Sequence, residues 1–170
     1  MTTALLVIDV QKSIVDSKPY AITERLELWQ RAVATCRQKG IEVIYVRHND
    51  DELVTGTTGW EIADEITPLA GEMVIDKRYN SAFKETGLQA YLEQQGIDQL
   101  FVMGMLTNYC VDTTVKVAFE LGYKIAVLEN GTTTFDDDPV PAAWLIEHYE
   151  NIWADRFAVV DFFDELIKED

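Results

Sequence analysis

A three-layer α/β/α domain on a six-stranded, mainly parallel sheet is what this sequence predicts, and three observations carry the prediction. Short, continuous apolar runs recur along the chain and alternate with amphipathic stretches. Strands buried on both faces read this way, because helices cover each side of a parallel sheet. Gly40, Gly96 and Gly122 stand just past amphipathic stretches, where helices stop. The 170 residues, 48% of them hydrophobic, suit a single domain over residues 1–170 with a sizeable core.

The first strand covers residues 4–10, an apolar run broken only by Asp9. A helix over 22–39 follows from Ile22, Leu26, Trp29, Val33 and Cys36, which recur at spacings of three and four on one face. The next strand is 41–46. Residues 50–71 show no period and carry Gly56, Gly59 and Pro68, so they read as a long loop with at most a short helix. Further strands fall at 73–75, 99–105, 124–128 and 157–160. A helical pattern runs from Val111 to Leu121 and ends at Gly122. Residues 130–141, rich in Thr, Asp and Pro, form a second long loop.

Composition narrows the function. Thirty acidic residues against 14 basic ones give a formal charge of −16, which repels nucleic acid and anionic membranes. No apolar run is long enough to span a bilayer. The first apolar run has no basic region before it and reads as a core strand, so no secretion signal is expected and the cytoplasm is the expected compartment. Two cysteines do not suggest a disulfide framework.

In open α/β sheets, ligands bind beyond the C-terminal ends of the strands. Asp9 closes the first strand, Asp76 and Lys77 follow the third, and Cys110 follows the fourth. A carboxylate, an ammonium and a thiol are therefore delivered to one edge. Cys110 falls where a strand has ended and a helix begins, and the helix dipole there is expected to favour thiolate.

Four segments carry a resemblance: Leu5-Leu6-Val7-Ile8-Asp9-Val10-Gln11, Gly59-Trp60-Glu61-Ile62, Lys77-Arg78-Tyr79-Asn80-Ser81-Ala82-Phe83, and Gly104 through Thr114. Together and in this order they resemble the isochorismatase-like cysteine hydrolases, a family that includes nicotinamidases and N-carbamoylsarcosine amidohydrolases. The resemblance implies a triad of Asp9, Lys77 and Cys110. It also implies a non-proline cis peptide at Met105–Leu106, with Leu106 and Cys110 giving backbone N–H groups to an oxyanion. Isochorismatases proper lack the nucleophilic Cys, so Cys110 points to the amidase branch, acting on a C–N bond of a small amide or ureide through a thioester.

Gln11, Trp60, Phe83 and Tyr109 are the expected substrate contacts, and Tyr79, Asn108 and Phe135 could also line the pocket. Gln11 could instead orient Asp9 or cap the next segment. Arg78 and Lys84 read as solvated charges. Nicotinamidases carry an Asp-x-His pair after the second strand to bind a metal, whereas this chain reads Val46-Arg47-His48-Asn49-Asp50 and holds only two histidines, His48 and His148. No metal and no cofactor are expected, and His48 is left to contact substrate or to hydrogen-bond within the loop. A small-molecule substrate and a homo-oligomer complete the expectation. Two alternatives stay open: a redox or thiol-transfer role for Cys110, and a non-catalytic binding protein on the same fold.

Overall fold

Alternate residues of the first strand establish the layering. In β1 (Thr3–Ile8), Ala4, Leu6 and Ile8 pack into one apolar cluster, while Leu5 and Val7 pack into a second on the opposite face. Every residue of β1 is buried, which is why it reads as an unbroken apolar run. In the computed structural model, which describes residues 1–168, five more strands flank it: β2 (Glu42–His48), β3 (Met73–Lys77), β4 (Gln99–Met105), β5 (Lys124–Thr133) and β6 (Val159–Asp161). Their order is β3-β2-β1-β4-β5-β6, and every pairing is parallel. The sheet is thus wholly rather than mainly parallel.

The helices divide between the two faces. On one side lie α1 (Lys12–Asp16), α2 (Ile22–Lys39) and α6 (Phe163–Leu166), which contribute Ile14, Trp29, Val33, Cys36 and Phe163 to that core. On the other lie α3 (Leu88–Gln95), α4 (Asp112–Glu120) and α5 (Ala142–Trp153), contributing Leu92, Val115 and Trp153. The bounds of α2 agree with the sequence expectation, and Gly40 caps it at φ 73°. The 50–71 segment holds two short 3-10 turns, Thr58–Trp60 and Asp64–Ile66. No helix among the described residues is long and apolar enough to cross a membrane.

β2, β3, β5 and β6 all run past the ends the sequence indicates, while β1 stops at Ile8, so that Asp9 lies just beyond it. β3 continues through Asp76 to Lys77, which pairs with His48, so Lys77 ends a strand instead of following one. β5 passes through an irregularity and then resumes pairing, with Thr132 against Gly104 and Thr133 against Met105. Asn130 takes up the turn in the left-handed region at φ 57°. The second loop therefore begins four residues later than its composition suggests.

The strand order reverses between β1 and β4, because the chain moves outward from β1 through β2 and β3 before returning to β1's other side. A crevice opens at such a switch point beyond the strand ends. The close approach there depends on Gly104, at φ 130°. A Cβ at this position would lie 2.1 Å from the Ile8 carbonyl oxygen, far inside contact distance.

Candidate active site

Asp9 leaves β1 in the left-handed conformation, at φ 52°, one of the few backbone shapes in which Asp is tolerated better than most residues. Its N–H donates to the Val46 carbonyl, which holds the turn against β2. Lys77 rises from the end of β3, two strands away. Each residue is only 2% exposed, and Lys77 Nζ lies 3.0 Å from Asp9 Oδ2. Burying either charge alone would be costly, and pairing offsets that cost.

Cys110 does not open a regular α-helix. It lies in a π-helical turn, Thr107–Val111, inserted between β4 and α4. The turn is pinned from β5: Thr107 and Thr132 hydroxyls lie 2.8 Å apart, and the Thr134 hydroxyl donates to Asn108 Oδ1 at 2.6 Å. The peptide before it, Met105–Leu106, is cis. The Lys77-to-Phe83 segment is tied to the same region, because Ala82 N–H donates to Thr114 Oγ1 at 3.0 Å.

These elements converge on one ammonium. Lys77 Nζ lies 3.2 Å from Cys110 Sγ, 2.8 Å from His48 Nδ1 and 3.0 Å from the Tyr79 carbonyl oxygen, in addition to Asp9. His48 Nε2 faces Asp50 Oδ2 at 3.2 Å, and Asp50 in turn accepts the backbone N–H groups of Glu52 and Leu53. An imidazole that accepts from Lys77 at Nδ1 carries its proton on Nε2, toward Asp50. Burial, then the Lys77 charge, lowers the His48 pKa below its usual 6.5, which keeps the ring neutral.

The electrostatics reverse one expectation. Burial, reinforced by the Asp9 charge, pushes the Cys110 thiol up to about 12, against the opposing pull of Lys77. Desolvation and the Asp9 charge together favour the protonated resting sulfur. Burial also raises Asp9 above 3.8, while Lys77 pulls it down. Asp9 Oδ2 is taken by Lys77, but Oδ1 is buried without a hydrogen-bond partner. A carboxylate oxygen of Asp9, a ring nitrogen of His48 and Cys110 Sγ lie within 4.8 Å of one another. The arrangement can pass a proton from sulfur to carboxylate beside a fixed positive charge.

A cavity of about 400 Å³ opens over Cys110. From α1 and its C-cap it takes Ser13, Ile14 and Ser17; from β2 and its following loop, His48, Glu52 and Leu53. Leu106, Tyr109 and Phe135 complete the wall with Asp9 and Cys110. Of Gln11, Trp60, Phe83 and Tyr109, Tyr109 alone lines this cavity; of the further candidates, Phe135 and His48 line it, and Tyr79 and Asn108 do not.

Gln11, Trp60 and Phe83 are placed elsewhere. Gln11, fully buried, clamps the His48 backbone at both its N–H and its carbonyl, each at 2.9 Å, and also donates to the Trp60 carbonyl. The Trp60 ring lies under the Arg47 guanidinium at 3.6 Å, and its indole N–H donates to Asn49 Oδ1. Phe83 packs on the core and stacks with Tyr123, with ring centroids 5.8 Å apart. Arg78 and Lys84 lie outside the cavity wall as well. The α1 serines and Glu52 went unnoticed in sequence, although both segments leave the C-terminal edge of the sheet. Cys36 belongs to the α2-side core and Cys110 packs toward the other, so the sheet separates the two sulfurs.

Residues 3–154 match the isochorismatase domain. The isochorismatase family protein YddQ of Bacillus subtilis is 36% identical over 154 residues, covering 84% of this chain and 86% of that protein. Nicotinamidase 3 of Arabidopsis thaliana is 30% identical over 152 residues, covering 79% and 75%. Among solved structures, N-carbamoylsarcosine amidase from Thermoplasma acidophilum superposes with a TM-score of 0.81 at 26% identity, covering 95% of this chain and 96% of that one.

Proposed function

The chain belongs to the isochorismatase family of hydrolases, and from that membership we propose that it cleaves a C–N bond of a small amide or ureide through a thioester on Cys110. The observation that carries this reading is the position of the Lys77 ammonium, 3.0 Å from the Asp9 carboxylate and 3.2 Å from the Cys110 sulfur at the floor of the cavity. A neutral thiol is a poor nucleophile, and a base beside it removes that limitation.

Asp9, through its unoccupied Oδ1, takes the thiol proton as the sulfur attacks the amide carbonyl. Negative charge then moves from carboxylate to sulfur and on to the carbonyl oxygen. Lys77 is the fixed counter-charge beside both the first two sites, so little reorganisation accompanies the transfer. The backbone N–H groups of Leu106 and Cys110 are the donors we assign to the oxyanion. Asp9 returns its proton to the leaving nitrogen, and ammonia or an amine departs. It then accepts a proton from the water that opens the thioester.

Two relatives bear names that fit this chemistry, a nicotinamidase and an N-carbamoylsarcosine amidase. We assign no metal to the step. The donor atoms of Asp9, His48 and Cys110 already surround the Lys77 ammonium, and a divalent ion among them would meet that charge at close range. A homo-oligomer is the assembly we infer from the family resemblance.

The test is ammonia release from a panel of small amides and ureides. Any activity found is expected to vanish in Cys110→Ala with the fold unchanged by circular dichroism, and to survive chelator. Undiminished turnover in Cys110→Ala overturns the nucleophile; strong inhibition by chelator, reversed by zinc, overturns the metal-free mechanism.

A further inference from the structure

The rim of the cavity carries an exposed carboxylate, Glu52. Glu52 lines the cavity from the loop after β2, and its carboxylate makes no ion pair or side-chain hydrogen bond among the described residues. Three cations on the neighbouring elements are committed elsewhere, and Lys18, which follows Ser17, does not line the cavity. Lys77 is enclosed by Asp9, His48, Cys110 and the Tyr79 carbonyl. Arg47, next to His48, grips Asp76 through both oxygens and stacks on Trp60. Lys12, next to Ser13, pairs with Glu61 and Asp64.

Asp9 and Lys77 cancel as a pair, so Glu52 sets the sign of the space a ligand enters. The formal charge of −16 on the whole chain acts in the same direction. Apart from His48, whose ring nitrogens face Lys77 and Asp50, the remaining wall is apolar or hydroxylic. The side chains of Ile14, Leu53, Leu106 and Phe135 carry no cation to hold an anion, and aromatic rings favour organic cations.

We propose that this pocket selects ligands bearing an ammonium or guanidinium group, held by Glu52, and disfavours those bearing a carboxylate. This rests on the reading of Cys110 as the nucleophile and names the class of amide it acts on: a cationic amide whose scissile carbonyl reaches the sulfur while its charged end meets Glu52.

Thiol reagents of matched shape and opposite charge test this without a known substrate. The intact protein is treated with 2-aminoethyl or 2-sulfonatoethyl methanethiosulfonate, and each rate is divided by that of 2-mercaptoethanol in the same buffer. Cys36 is fully buried, and peptide mass analysis locates the label on Cys110. The normalised rate for the cationic reagent is expected to exceed that for the anionic one by roughly tenfold at low salt, as one unit charge across a partly solvated pocket would give. In Glu52→Gln the ratio is expected to fall at least about threefold. In the unaltered protein it should also decline as salt rises.

A ratio at or below unity overturns the proposal, as does one untouched by Glu52→Gln or undiminished at about 0.5 M salt. The salt series keeps the test valid should the variant fold poorly. The two claims fail separately: absence of charge preference leaves Cys110-dependent amide hydrolysis standing, and a barren amide screen leaves the reagent ratio standing.

Discussion

Two influences of opposite sign act on the Cys110 sulfur, and they come from its two ionic neighbours. Asp9 raises the thiol pKa through its charge, and Lys77 lowers it. Asp9→Asn keeps the shape and removes the charge, leaving Lys77 with the sulfur as its available anionic partner. The expected result is a divergence: iodoacetamide labelling of Cys110 shifts to lower pH, while ammonia release falls by about a hundredfold or more. Labelling that stays at or above the wild-type pH range would show that Asp9 does not hold the proton on sulfur. His48 gives a second prediction. Its folded pKa lies below 6.5, so the unfolded chain takes the proton first on acidification. The stability it contributes is therefore complete above that value and declines as pH falls below it. Asp9, with its raised pKa, acts with the opposite sign. In His48→Asn, whose amide oxygen can stand in for Nδ1, the loss of Tm between neutral pH and about pH 5 should be smaller than in wild type. An equal loss would assign the acid sensitivity to other groups.

Elements set how well these residues can be held. Gly104 lets β4 approach β1 at the point where the nucleophile turn begins, and Gly104→Ala would drive a methyl group into the Ile8 carbonyl. A stability loss of more than about 3 kcal/mol is expected in denaturant titration, since a clash with backbone cannot be relieved by a rotamer change; a near-neutral result would mean the strands can part without cost. The same elements explain what the sequence disclosed. Asp9 could be read because a carboxylate in an apolar run is conspicuous, and Cys110 because it stood between a strand and a helix. The strand-end rule then drew Lys77 to the same edge. Trp60, Phe83 and Gln11 could not be placed this way. Their side chains are claimed by Arg47 and Asn49, by Tyr123, and by the His48 backbone, partners that adjacent sequence does not announce. The continuation of β5 was hidden for a related reason. Thr132 and Thr133 look like loop residues until they are seen buried, one against Thr107 and the other donating to the Tyr20 carbonyl. The π-helical turn carries no distinguishing composition at all.

At the scale of the molecule, excess negative charge is the dominant electrostatic fact. Fourteen basic residues cannot neutralise 30 acidic ones, so self-repulsion opposes compaction even though pairs such as Arg37–Glu72 and Lys12–Glu61 are made. Adding salt up to about 0.5 M should raise Tm by a few degrees at neutral pH, because screening relieves the long-range repulsion more than it weakens close pairs. A falling Tm would show that the local pairs matter more than the net charge. The crevice between β1 and β4 has a consequence for how such a protein can change over generations. The proposed cleavage draws on Asp9, Lys77 and Cys110, which β1, β3 and the turn after β4 hold at one edge of the sheet, where the core tolerates little alteration. The rest of the cavity wall comes from α1, the segment carrying Glu52 and the stretch carrying Phe135, all of which lie outside the sheet. A lineage can therefore rewrite what it consumes while inheriting unaltered the means of consuming it.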